Sequence, residues 1–115
     1  MDVIALYTRL RPGQEQAYEQ FHRVVPEDIA ADLSERGVHD WRIWRHGRDL
    51  FHLVTAEDYA RFASSPATNE TAASWGSVVA PFLELGNDLA DPQRNSLTEV
   101  WRLADQLRAV GPVGE

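Results

Sequence analysis

Apolar positions along the chain switch between two periods. Residues 2–10, DVIALYTRL, alternate, with Val3, Ala5 and Tyr7 on one side and Ile4, Leu6, Thr8 and Leu10 on the other. Both sides are largely apolar, which predicts a central strand covered on two faces. After the turn Arg11-Pro12-Gly13 the period becomes helical. Ala17, Tyr18, Phe21, Val24, Val25, Ile29 and Leu33 form a stripe over about residues 13–36. Pro26 interrupts it and predicts a kink or restart, with Gly37 as the C′ cap. Val38–Arg45 and Leu50–Thr55 alternate again and predict two strands joined by a hairpin at His46-Gly47-Arg48-Asp49. On the first of these, Trp41 and Ile43 face one way and Asp40, Arg42 and Trp44 the other. A short helix is expected over Ala56–Ser64, capped by Thr55, and a second over Asn69–Leu85, bent or ended near Pro81. Leu85–Ser96 is rich in turn formers. Leu97–Leu103 alternates once more and predicts a fourth strand, followed by a tail over 105–115 whose start is expected to be helical.

The predicted order is strand, helix, strand, strand, broken helix, strand. It specifies an α+β fold on the ferredoxin-like split βαβ plan, a four-stranded antiparallel sheet with helices on one face. The whole occupies one domain, residues 1–104, plus the tail. Helices on one face leave the other bare, and several of its side chains are large and apolar. A homodimer burying the two bare faces is the expected resolution.

Composition narrows the function classes. The net charge of −7 gives no basic surface for nucleic acid. All 11 basic residues are arginine, and cysteine is absent, so disulfides, thiolate metal sites and a cysteine nucleophile are excluded. No stretch has membrane-spanning length or the form of a cleavable leader, and the expected location is the cytoplasm. No Gly-rich phosphate loop or Gly-x-Ser-x-Gly elbow occurs, so a nucleotide cofactor is not expected. No two of the four histidines have metal-ligand spacing on one element, so a metal site is not expected either.

Candidate chemistry gathers in QAYEQFHRVVPE, residues 16–27. Tyr18 and His22 are four apart and share one side of a helix. A histidine beside a phenol can move protons near neutral pH. A lone helix histidine is ordinarily a satisfied core residue, and a lone tyrosine a core aromatic; the pairing just before a helix break is what singles these out. Trp41, Trp44, Trp75 and Trp101 offer flat faces that suit sugar rings, at least two of them being expected in the core or a dimer contact. Trp41 and Trp44 point oppositely, so only one of them can line a given pocket. Arg42 and His52 complete the candidate substrate-binding set, His52 being either a buried satisfied histidine or a pocket residue.

The motifs LYTRLRPGQEQAYEQFH, VVPED, GVHDWRIWRHGRDLFHLV, EDY, a Trp before APFLE and a closing VW together resemble the L-rhamnose mutarotase family over about residues 3–103. The resemblance implies a dimeric α+β barrel that interconverts the anomers of a free 6-deoxy-sugar such as L-rhamnose or L-fucose without a cofactor. The family's Tyr-x-x-x-His motif matches Tyr18 and His22, with the histidine as proton donor. A sugar-contacting tyrosine of the second strand falls at Trp41, and a tryptophan of the late helix at Trp75. The chain departs from the family pattern at Val25-Pro26-Glu27, where Trp-Pro-Glu is common, at Trp41, at Ala73-Ser74 before Trp75, and in a longer Pro66–Ser74 segment. These changes make the site more apolar. Two alternatives are therefore a cyclase or tailoring enzyme of secondary metabolism acting on a larger apolar intermediate, and a non-catalytic small-molecule-binding dimer.

Overall fold

The computed structural model describes residues 1–87, 91 and 94–110. Four strands, β1 (Asp2–Leu10), β2 (Val38–His46), β3 (Asp49–Ala56) and β4 (Leu83–Leu85), form an antiparallel sheet in the order β2-β3-β1-β4. Helices α1 (Glu15–Phe21), α2 (Glu27–Glu35), α3 (Tyr59–Ser64) and α4 (Glu70–Val79) are followed late in the chain by α5 (Leu103–Val110). This is the expected ferredoxin-like α+β plan.

Local chemistry explains the element ends. The expected long helix is two helices, because Pro26 lacks an N–H and sits extended at φ −53°, ψ 142° before α2. Its carbonyl accepts from the Ile29 amide at 3.0 Å, so it opens the new helix. Gly37, just past α2, has φ 88°, and a Cβ there would come within 2.9 Å of Glu57 Oε2. Helix α3 is capped by Asp58, whose carboxylate accepts from the Arg61 amide at 3.0 Å, and not by Thr55, because β3 continues through Ala56. Asn69 caps α4 in the same manner. That helix stops at Val79 and not at Leu85; a 3₁₀ turn at Ala80–Phe82, containing Pro81, turns the chain into β4.

The fourth strand is the main correction. The edge of β1 near Arg9 and Leu10 is taken by β4, and Leu97–Leu103 forms no strand of this sheet. The chain returns to that edge only briefly, where the Tyr7 amide donates to the Asn95 carbonyl (2.8 Å) and the Leu97 amide to the Ala5 carbonyl (2.7 Å). It then leaves, and Leu103 begins α5 in place of ending a strand. Parts of the expected loop (88–90 and 92–93) and the end of the tail (111–115) lie outside the described residues.

Two apolar clusters fill the space between sheet and helices. One joins Leu6, Val38, Val54, Ala56, Tyr59 and Phe62; the other joins Leu10, Tyr18 and Leu50. Between them the inward rows Leu6-Thr8-Leu10 and Leu50-His52-Val54 each carry one polar residue, and both Thr8 and His52 are buried. Polar floor between two dry cores is where the fold leaves room for a ligand. The other sheet face carries exposed Val3, Trp44 and Phe51.

Candidate active site

A cavity of about 490 Å³ opens between the sheet and helices α1, α2 and α4. Tyr18 and His22 form its α1 wall, Asp32 and Arg36 its α2 wall, and Trp75 its α4 wall, over a floor of Thr8, Trp41 and His52.

His22 stands one residue past α1 at φ −90°, ψ 2°, its amide still donating to the Tyr18 carbonyl at 3.0 Å. Its ring lies over that of Tyr18, with centroids 4.1 Å apart, and meets Phe21 and Trp75 edge-on. Nδ1 is buried with no hydrogen-bond partner among the described residues. An orphaned buried nitrogen is costly unless a ligand satisfies it. Burial, the larger effect, holds the imidazole below its usual 6.5 against the opposing pull of the Tyr18 backbone, so the ring is neutral at pH 7. Tyr18 is 5% exposed, and burial pushes its hydroxyl up to about 12, so it keeps its proton and can donate a hydrogen bond. A neutral imidazole beside a protonated phenol can exchange protons with a hydroxylated ligand.

His52 is a different kind of histidine. The Trp41 indole N–H donates to its Nδ1 at 3.1 Å, and its Nε2 is 2.8 Å from Thr8 Oγ1. Burial first, and the charge of His22 second, lower it to about 4. It is therefore a satisfied histidine that also lines the pocket. Trp75 stacks one face on Phe21 at 5.4 Å, with 19° between the planes, which fixes its ring at the cavity wall.

The sheet separates the remaining two candidates from this group. Arg42 and Trp44 pair with Leu53 and Phe51 on the outer face, opposite the row of Trp41 and Ile43. There the Arg42 guanidinium lies 4.6 Å over the Trp44 ring. In a single chain they do not reach the cavity, because neighbouring strand positions point to opposite faces.

Asp32 and Arg36 were not foreseen. Asp32 Oδ1 accepts from the Thr68 amide (2.7 Å) and hydroxyl (2.9 Å), and Oδ2 accepts from Arg36 Nη1 (3.0 Å). Arg36 also donates to Ser65 Oγ and to the Phe62 and Ser65 carbonyls, and lies over the Phe62 ring. Burial raises the Asp32 carboxyl, but the Thr68 and Arg36 hydrogen bonds outweigh it and the net direction is down. The signal available in the sequence was an acid at the inward position between Ile29 and Leu33, four residues before an arginine. Thr8 carried a similar signal as the lone hydroxyl in an apolar row.

Fold and cavity together define a ferredoxin-like α+β protein with a pocket between its sheet and its helices that holds His22 against Tyr18. Comparison with known proteins makes the assignment specific. The L-rhamnose mutarotase family profile matches residues 3–103. An L-rhamnose mutarotase of Opitutus terrae is 36% identical over 73 residues, 62% of this chain and 70% of that one. One of Shouchella clausii is 33% identical over 89 residues, covering 76% and 84%. The crystal structure of L-rhamnose mutarotase FA22100 from Formosa agariphila superimposes with a TM-score of 0.64 at 25% identity, covering 90% of this chain and 99% of that one. Tetracenomycin F2 cyclase from Streptomyces glaucescens shares the fold, with a TM-score of 0.55 at 15% identity over 89% and 96% of the two chains. The chain belongs to the L-rhamnose mutarotase family, isomerases that act on carbohydrates.

Proposed function

We propose that this protein interconverts the anomers of a 6-deoxy-hexose, with L-rhamnose the first candidate and L-fucose the second. The observation that carries the reading is the buried, orphaned Nδ1 of a neutral, half-buried His22 against Tyr18 at the cavity wall. Ring opening needs a proton on the ring oxygen while one leaves the anomeric hydroxyl. The bond from the anomeric carbon to the ring oxygen breaks, and its electron pair goes to that oxygen. Rotation of the aldehyde and the reverse step give the other anomer. Atoms and electrons balance within the sugar, so the scheme calls for no cofactor. His22 is the acid/base group. Tyr18, its proton held up to about 12, donates a hydrogen bond to a hydroxyl. Trp75 and Trp41 offer aromatic surface to the sugar's apolar faces. Saturation-transfer NMR on L-rhamnose and L-fucose, with and without protein, tests this. Unaccelerated exchange of both sugars overturns it.

A second reading rests on the volume. About 490 Å³ is within the roughly 300–1,000 Å³ of pockets for drug-sized ligands and exceeds what one monosaccharide ring fills. An apolar intermediate of secondary metabolism, acted on or only bound, fits that space. Titration with a planar polycyclic ketone, followed by tryptophan fluorescence, separates it from the sugar reading.

The outer sheet face supports a homodimer. Val3, Trp44 and Phe51 are 49, 46 and 39% exposed there, and the outgoing segment shows Val100 at 93% and Trp101 at 64%. A second copy is the occupant that pairs apolar face with apolar face by two-fold symmetry. Sedimentation is expected to give a dimer for the native chain and a monomer for Phe51→Glu. Monomeric native protein at micromolar concentration refutes the dimer.

A further inference from the structure

The chain Trp41–His52–Thr8 settles a protonation pattern that neither the acid/base pair nor the core needs. An indole N–H donates and never accepts. Because Trp41 donates to His52 Nδ1, that nitrogen presents its lone pair, and the neutral ring carries its proton on Nε2. Nε2–H therefore donates to Thr8 Oγ1 at 2.8 Å. The Thr8 hydroxyl, accepting from the histidine, cannot turn its own proton toward the ring. Thr8 lines the cavity, and His52 is its one hydrogen-bonded side-chain partner among the described residues.

We propose that Trp41, His52 and Thr8 form a positioning chain in which the indole fixes one histidine tautomer and thereby presents the Thr8 hydroxyl proton to an oxygen of the bound ligand. The indole N–H is then committed inside the protein, and Trp41 contributes to recognition through His52 and Thr8 as well as through its ring. The ligand chemistry favoured at this floor position is an acceptor oxygen, a hydroxyl or a ring oxygen. The proposal deepens the sugar reading and rests on it for the ligand class.

The surroundings keep His52 in one state. The titratable and charged groups around the same cavity are His22 and Tyr18 on α1, Asp32 and Arg36 on α2, and Arg11 after β1. Asp32 and Arg36 are paired with each other, and Arg11 Nε donates to the Leu83 carbonyl at 2.8 Å. His22 is the group whose charge acts on His52, and it acts against a second proton. The two histidines thus divide the work: His22 is free to exchange protons, and His52 is held neutral.

The test uses the full chain labelled with ¹⁵N. Long-range ¹H–¹⁵N correlation without ligand is expected to show His52 as a single Nε2–H tautomer at pH 7, and Trp41→Phe is expected to give a tautomer mixture. Thr8→Val and Thr8→Ser address the far end without disturbing the aromatic core. In saturation-transfer NMR on L-rhamnose, Thr8→Val should raise the half-saturating concentration about 3–10-fold, the worth of one hydrogen bond, with a smaller change in limiting rate. Thr8→Ser should restore it. A His52 proton on Nδ1 in the native protein, or Val and Ser variants that behave alike, overturns the positioning chain. Native protein with the expected tautomer but no acceleration of either sugar overturns the mutarotase reading alone.

Discussion

Replacing Asp32 by alanine removes the acceptor that ties α2 to the segment leading into α4. Asp32 is 2% exposed and accepts three hydrogen bonds, two from Thr68 and one from Arg36. The Arg36 side chain is 10% exposed and stays buried when its partner is lost. Breaking a buried ion pair from one side costs about 3–5 kcal/mol, because the other charge is left uncompensated. Arg36 keeps acceptors on Ser65 and Phe62, which places the expected loss at the lower end, about 3 kcal/mol. A chain of 115 residues has about 6–17 kcal/mol of stability in total, so the loss is large. Urea unfolding followed by tryptophan fluorescence measures it as a lower midpoint at unchanged slope. The double variant Asp32→Ala/Arg36→Met should recover part of the loss, since no charge is stranded. The folded carboxyl titrates below its ordinary 3.8, so in that range the unfolded chain binds more protons. The pair's contribution is therefore complete above 3.8 and is lost as pH falls through the folded value. The gap between native protein and Asp32→Ala should be constant from pH 7 to about 5 and shrink below about 4. A loss under about 1 kcal/mol, or a gap unchanged at pH 3, refutes the account of this pair.

Other outcomes follow from the same geometry. His22→Ala should slow anomer exchange by about 10²–10⁴-fold with the fold retained by circular dichroism; equal rates remove His22 from the mechanism. Tyr18→Phe keeps the ring packing against Phe82 and loses only the hydroxyl, so exchange should fall by less than in His22→Ala, about 10-fold. Both His22 and His52 are held below 6.5, the latter to about 4, so the unfolded chain takes up protons that the folded chain refuses. Stability should therefore fall as pH drops from 6.5 toward 4, by roughly 3 kcal/mol for His52, and a His52→Gln variant should show a shallower slope.

The strands and helices were legible because each has its own local period. Alternation in residues 2–10, 38–45 and 50–55 marked β1, β2 and β3, and the Tyr18/His22 spacing marked two residues that share one cavity wall. Even the opposite facing of Trp41 and Trp44 followed from strand geometry alone, so that only one of them could line a pocket; the structure selects Trp41. Which late segment completes the sheet was not local. Leu83–Leu85 and Leu97–Leu103 both carry strand-like apolar positions, and only the edge of β1, some seventy residues away, selects the first. Pro81 helps by ending α4 early enough to feed that edge. The polar pairs are decided in the same way. Asp32 meets Thr68, and Thr8 meets His52 and through it Trp41, only after the helices and strands have been laid side by side. Sequence spacing reports neighbours one turn or two residues apart. A hydrogen bond spanning 44 positions depends on register, and register is set by the fold as a whole.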